Sequence, residues 1–111
     1  MNNLFSLKDI PRLPDSDEFF ETLLRGGNGL RVERIVSHGH TTPEDHWYDQ
    51  EEDEWVLILE GSAHLLFEKD RVVSLSRGDH LLIPAHQKHR VSYTSSPCIW
   101  LAVFAGTLRK Q

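Results

Sequence analysis

Trp55–Leu59 is a continuous apolar segment that follows Glu54 and ends just before Glu60-Gly61. A short run of this kind, rich in β-branched and aromatic residues, predicts a β-strand in the middle of a sandwich or barrel. Because side chains alternate along a strand, Glu54 would share a face with Val56 and Ile58. We therefore expect Glu54 at the mouth of a buried surface, where a carboxylate needs a partner because its desolvation is costly.

Short alternating segments separated by turn residues surround this run. They predict further strands at residues 30–36, 62–67, 71–75, 80–83, 89–94 and 98–105. Strands at this rhythm are typical of an all-β sandwich or barrel. The sequence contains no internal repeat and no linker, so we expect one domain over residues 1–111, with the barrel over 30–105 and an arm and helix over 1–29.

The N-terminal part has a different pattern. Residues 1–14 carry two prolines and the apolar residues Leu4, Phe5, Leu7, Ile10 and Leu13, which suit an arm that packs on a core or on a second subunit. Over Asp15–Arg25, Asp15 and Glu18 have the spacing of a capping box. The apolar stripe of this segment and the glycines after Arg25 complete the pattern, which predicts one short N-terminal helix.

One segment interrupts the strand rhythm. Ser37–Asp53 is long, polar and without a period, and it contains histidines together with Trp47 and Tyr48. A loop of this length in a small domain is usually functional or disordered. Its aromatic residues argue against simple disorder, so we expect a functional loop.

Charge and composition narrow the classes of partner. Acidic residues outnumber basic ones, 17 to 12, and the net charge is -5. This balance disfavours nucleic acid or an anionic membrane surface as the main partner. The single cysteine, Cys98, permits no intrachain disulfide, and no segment approaches the length of a membrane span. Since the N-terminus also lacks the pattern of a signal peptide, we expect a cytoplasmic protein.

Two short motifs resemble those of the cupin superfamily. Gly78, Pro84 and His89 have the spacing of its second motif, and Glu54 with Gly61 resembles the end of its first. The two occur in the family's order, and the resemblance covers roughly residues 30–105. It implies a jelly-roll β-barrel of the double-stranded β-helix type, often a dimer, with a metal site inside its mouth.

The resemblance also implies metal ligands. Glu54 and His89 stand at ligand positions of the family. The first motif of the family also has two histidines shortly before the glutamate, where this chain has Trp47 and Asp49, or Tyr48 and Gln50, depending on the gap length. In the second motif, His86 replaces a glycine, and Tyr93 stands where asparagine is frequent.

Several residues near Glu54 could complete a metal site. A divalent metal needs three or four converging ligands, and Asp49, Gln50, His46 or His86 could supply the remainder. An oxygen-rich set would suit Mn²⁺ or Fe²⁺, and a histidine-rich set Zn²⁺, Ni²⁺ or Fe²⁺. Alternatively, the acidic residues from Asp49 to Asp53 form a solvated loop.

Three functions remain open from the sequence. In the first, the protein binds a divalent metal and a small polar molecule, as a dioxygenase, isomerase or lyase with His86 or Tyr48 as acid or base. In the second, it binds or senses a small molecule without metal and without catalysis. In the third, it is a structural partner that uses its arm and helix as an interface. A homodimer is expected from the apolar arm and the family's habit.

Overall fold

The residues that the structure describes form eight strands in two antiparallel sheets. The computed structural model describes residues 3–8, 10, 11 and 18–111. The strands are β1 (Phe19–Arg25), β2 (Arg31–Ser37), β3 (Asp53–Glu60), β4 (Ser62–Phe67), β5 (Arg71–Ser76), β6 (His80–Ile83), β7 (His89–Thr94) and β8 (Cys98–Ala105). One sheet has the order β1-β2-β8-β3-β6 and the other the order β5-β4-β7. The predicted all-β jelly roll is therefore confirmed.

The core lies between the two sheets and explains the burial pattern of β3. Glu54, Val56 and Ile58 are buried, whereas the alternate residues of β3 are only partly buried. The buried cluster comprises Val56, Ile58, Ala63, Leu65, Phe67, Leu75, Ile83, Cys98, Trp100, Ala102 and Phe104. The side of β3 that begins with Glu54 thus faces the interior, as the alternation predicts.

The predicted N-terminal helix is wrong where the structure describes it. Phe19–Arg25 forms strand β1, which pairs with β2 so that Phe19 lies opposite Val36 and Phe20 opposite Ile35. Residues 15–17 of the predicted helix lie outside the described residues. The apolar stripe therefore divides between two faces of a sheet, because pairing with β2 outweighs a weak local preference for helix. No helix among residues 3–8, 10, 11 and 18–111 is long and apolar enough to cross a membrane.

The described part of the N-terminal arm lies on the outer face of the five-stranded sheet. Arg34 of β2 is buried, and its Nη1 donates to the carbonyl oxygens of Leu4 and Ser6 at 3.1 and 2.7 Å. The same guanidinium lies 3.0 Å from Glu21 of β1. Since Ile35 points into the interior, Arg34 and the arm occupy the opposite side.

The long polar loop runs alongside β7, which is an edge strand of the three-stranded sheet. Thr42 N donates to Val91 O at 2.8 Å, and Tyr48 N donates to His89 O at 2.8 Å. His89 N returns a hydrogen bond to Tyr48 O at 3.1 Å. The loop therefore covers a free edge and carries the residues around Tyr48 to the mouth of the barrel.

Candidate functional site

A cavity of about 110 Å³ lies between the two sheets, at the end of the barrel where β3 begins. Its polar lining residues are Glu18, Tyr48, Gln50, Glu54 and His89. Its other walls are apolar and include the rings of Phe20, Trp100 and Phe104. A partly open, largely apolar cavity with a few convergent polar groups is the usual form of a small-molecule site.

Glu54 and His89, the two residues that carry the motif resemblance, meet in this cavity. They come from opposite sheets, Glu54 from β3 and His89 from β7. Glu54 is 7% exposed and His89 is 5% exposed. His89 Nε2 lies 3.8 Å from Glu54 Oε1, which is near enough for an ion pair but too long for a hydrogen bond.

The backbone fixes which nitrogen of His89 faces Glu54. His89 Nδ1 lies 2.9 Å from Gln87 O. Because a carbonyl oxygen only accepts, Nδ1 carries the proton and Nε2 of the neutral ring is an acceptor. Burial lowers the pKa of His89, against a smaller opposing effect of the Gln87 hydrogen bond. The cavity therefore presents a neutral imidazole with a lone pair on the side of Glu54.

Burial has the reverse effect on Glu54, since desolvation always disfavours the charged form. Desolvation raises the pKa of Glu54 to about 7, with a contribution from the negative charge of Glu33. A hydrogen bond from Gln50 and the charge of Arg31 act in the opposite direction. Glu54 is thus close to half-protonated near neutral pH, beside an imidazole that can accept a proton.

Tyr48 lies beside this pair, and its phenol stays protonated. Its ring centroid is 5.7 Å from that of His89. Burial raises the pKa of Tyr48, and the charges of Glu18 and Glu54 raise it further, against a hydrogen bond with Thr42. Glu18 and Glu54 therefore both raise the pKa of Tyr48, and all three residues line the same cavity.

The other predicted site residues take positions at the rim. His86 Nδ1 donates to Asp49 Oδ1 at 2.9 Å, and both side chains are exposed. His86 N also donates to Gln50 O at 2.7 Å. The ring of His46 packs edge-on against Tyr48, with 5.2 Å between centroids. Asp49, His86 and His46 are not among the residues that line the cavity.

The backbone explains the unusual residue of the second motif. His86 has a φ of 64°, in the left-handed region that glycine adopts most easily. A glycine at this place, as the family resemblance implies, would suit this turn without strain. In this chain the bonds to Asp49 and Gln50 hold a histidine there instead.

Two residues of the cavity, Glu18 and Trp100, are not predicted from the sequence. Glu18 was assigned to a helix cap, but its carboxylate lines the cavity and accepts a 2.7 Å hydrogen bond from Ser37 Oγ. His40 Nε2 lies 3.2 Å from the other oxygen of Glu18. Trp100 is 4% exposed, and its indole N–H is buried with no hydrogen-bond partner among the described residues. A carboxylate directly before two phenylalanines was the one available signal for Glu18.

The donors in the cavity do not fit a metal centre as they are arranged. A catalytic metal site uses three protein ligands that converge on one point. Within the described part of the chain, no group of three or more His, Cys, Asp or Glu residues could hold a metal ion. Glu54 and His89 supply two donors, Gln50 hydrogen bonds to Glu54, and Asp49 pairs with His86.

The motifs, the fold and the cavity together define a protein of the cupin class. A model of the cupin domain matches residues 32–104, and the chain belongs to this family. No curated protein matches the chain significantly.

Solved structures agree with this assignment. A protein from Ralstonia eutropha JMP134, provisionally assigned as a mannose-6-phosphate isomerase, is 40% identical, and the alignment covers 96% of this chain and 98% of that one with a TM-score of 0.84. An RmlC-like cupin from Desulfovibrio desulfuricans is 21% identical over 97% and 99% of the two chains, with a TM-score of 0.71. A cupin superfamily protein from Desulfitobacterium hafniense is 19% identical over 86% and 83%, with a TM-score of 0.70.

Proposed function

We propose that this cupin binds a small organic molecule in its interior cavity without a metal ion. The observation that carries the proposal is the cavity of about 110 Å³, in which apolar walls surround Glu54, His89 and Tyr48. Two of these polar groups, Glu54 and His89, are 3.8 Å apart, so each retains capacity to contact a ligand. The predicted metal-dependent function remains the competing proposal, and it needs a third ligand to move into the cavity.

The ligand is not a sugar phosphate of the kind named for the Ralstonia relative. Among the described residues, no Lys or Arg lines the cavity, whereas two carboxylates do. A phosphate dianion would meet like charge there in a poorly hydrated space. Sites for drug-sized ligands occupy about 300 to 1,000 Å³, which is well above the volume available here.

Proton transfer is a second candidate function, and the protonation states of Glu54 and His89 favour it. A carboxyl group with a pKa of about 7 can act as acid or base near neutral pH. His89 Nε2 is an acceptor on the opposite side of a 3.8 Å gap. A ligand that contacts both groups could lose a proton to one and gain it from the other, which is the chemistry of an isomerase or lyase.

Binding is tested by titrating ¹⁵N-labelled protein with isobutanol, a neutral molecule small enough for the cavity. We expect saturable shifts at residues around the cavity. Val91→Phe, which fills the cavity from β7, should abolish them, and Val72→Phe on the exposed side of β5 should not. Unsaturable shifts, or the same response in Val91→Phe, would contradict the proposal.

Metal independence is tested by supplying the protein with Mn²⁺, Fe²⁺, Ni²⁺ and Zn²⁺, followed by dialysis and metal analysis. We expect far less than one ion per chain. Stoichiometric retention that Glu54→Gln and His89→Ala each remove, and His64→Ala does not, would overturn this part of the proposal in favour of the metal-dependent function.

We also propose that the protein is a cytoplasmic homodimer. Cytoplasmic location is supported by its single, buried cysteine, Cys98.

A dimer is supported by large apolar side chains left exposed at the N-terminal arm and the edge strand β1: Phe5 is 50% exposed, Leu7 37% and Leu24 64%. Sedimentation should give a dimer at micromolar concentration, and Phe5→Ser with Leu7→Ser should shift it to a monomer. A wild-type monomer would refute the dimer.

A further inference from the structure

We infer that the ligand of the cavity is a small organic cation, a primary ammonium of about four to six non-hydrogen atoms. This inference rests on the proposed function and specifies the chemistry of the ligand. Three observations support it: the cavity is lined by carboxylates, Arg31 is already paired with other residues, and the cavity has aromatic walls.

The charged groups of the described residues that line the cavity are acidic. Glu18 reaches it from the segment before β1, and Glu54 reaches it from β3. His89, which also lines the cavity, donates its Nδ1–H to Gln87 O at 2.9 Å and presents the acceptor Nε2 on the side of Glu54. Since Tyr48 feels the charge of both carboxylates, the two acids lie around one space rather than at separate sites.

Arg31, the cation whose charge acts on Glu54, already has other partners. The positive charge of Arg31 on β2 acts on Glu54, but its Nε lies 2.9 Å from Glu33 and its Nη2 lies 3.0 Å from Glu52. Its planar group also stacks over the ring of Phe104, 4.2 Å from the centroid. Glu54 therefore has no strong cationic partner of its own among the described residues, and a ligand cation would supply one.

Glu18 is held in a fixed orientation beside the cavity. Ser37 Oγ donates to one of its oxygens at 2.7 Å, and His40 Nε2 lies 3.2 Å from the other. These contacts orient the carboxylate before a ligand arrives, which reduces the entropy that binding would otherwise cost. The cavity is thus lined by two carboxylates, Glu18 and Glu54, and Glu18 is already oriented by its own hydrogen bonds.

The aromatic walls suit the same ligand. Tyr48, Trp100 and Phe20 line the cavity, and ring faces attract cations through their electron density. Phe104 already binds the guanidinium of Arg31 in this way. A cavity of about 150 Å³ accommodates benzene in another protein, so about 110 Å³ suits an alkylammonium of four to six non-hydrogen atoms.

Three probes of similar size and different charge test the inference: isobutylammonium, isobutanol and isobutyrate. They are titrated by NMR at constant salt and about pH 8, where Glu54 is mostly ionised. We expect isobutylammonium to bind roughly tenfold more tightly than isobutanol, and isobutyrate to bind most weakly. Glu18→Gln and Glu54→Gln should each remove most of that preference while isobutanol still binds. Glu51→Gln, a change at an exposed loop residue, should leave all three affinities unchanged.

The outcomes separate this inference from the function on which it rests. If none of the three probes binds the cavity, the proposed function fails. If isobutanol or isobutyrate binds as tightly as isobutylammonium, the cation inference fails and the binding function stands. If the preference for the cation survives in Glu18→Gln and Glu54→Gln alike, the ammonium binds elsewhere and the inference is also overturned.

Discussion

Replacing Glu54 by glutamine should change how the stability of this protein depends on pH. Burial is the main reason that the pKa of Glu54 rises from 4.5 to about 7. The charges around it come from several elements: Glu33 and Glu52 raise the pKa further, and Arg31 lowers it. His89, opposite on β7, is kept neutral by burial and adds no compensating charge.

The sign of the effect follows from proton uptake. Between pH 4.5 and about 7 the folded protein keeps a proton on Glu54 that the unfolded chain has released, so a rise in pH favours unfolding. At 1.36 kcal/mol per pKa unit, the shift corresponds to about 3 kcal/mol, lost progressively across that window and complete above about pH 8. This is a large part of the 5 to 15 kcal/mol that stabilises a typical domain.

The measurement is urea unfolding of the wild type and Glu54→Gln in pH steps from about 4 to about 9. Glutamine keeps the shape and a hydrogen-bonding amide but cannot ionise, so the variant should gain up to about 3 kcal/mol on the wild type as the pH rises. Glu60→Gln, at the exposed end of the same strand, should follow the wild type. A constant difference between Glu54→Gln and the wild type at all pH values would refute the reasoning.

Three further predictions concern the framework of the site. The imidazole of His89 should titrate below pH 6.5 by NMR, because burial lowers its pKa; a midpoint at or above 6.5 would contradict this. Gly61→Ala should destabilise the protein by about 2 kcal/mol more than Gly78→Ala in urea unfolding. Both glycines have a positive φ, but a Cβ at Gly61 would meet Ser95 Oγ and lie 2.5 Å from Pro97 O, whereas at Gly78 it would meet nothing within 4 Å; equal losses would refute the steric account. Asp53→Asn should increase the hydrogen exchange of Ala85 or Leu108, whose amides donate to its two oxygens at 2.8 Å, and unchanged protection of both would show that these bonds do not hold the turn and the C-terminal segment.

Local patterns were sufficient to predict most strands and the buried face that Glu54 shares with its neighbours in β3. The run after Glu54 and the turn residues around Gly61 and Gly78 define strands whose bounds the structure reproduces within a residue or two. The face shared by Glu54, Val56 and Ile58 follows from alternation alone. The approach of His89 to Glu54 rested on the family resemblance, since nothing local joins residues on opposite sheets.

The remaining features depend on contacts between distant parts of the chain. Phe19–Arg25 has a helical stripe, but β2 offers it an edge to pair with, and only the tertiary structure reveals that edge. Asp49 lies five residues before Glu54 in the sequence, but its carboxylate pairs with the exposed His86 instead of entering the cavity. Glu18 enters the cavity because β1 joins the sheet, so the missed strand and the missed carboxylate have one cause.

Binding of the proposed cation should also be coupled to the ionisation of Glu54, because the pKa of Glu54 is raised. Burying Glu54 makes ionisation unfavourable, and an ammonium in the cavity would restore it, so binding near neutral pH must release protons. If the ionised form alone binds the cation, the apparent affinity at about pH 6 should be roughly tenfold lower than at about pH 8, because only about a tenth of Glu54 is then ionised. Calorimetry of isobutylammonium binding in buffers of different ionisation enthalpy would measure the release, with about half a proton expected per ligand near pH 7. Glu54→Gln should abolish the release, whereas Glu18→Gln should weaken binding and retain it. Tight binding without proton release in the wild type would mean that the ammonium does not approach Glu54.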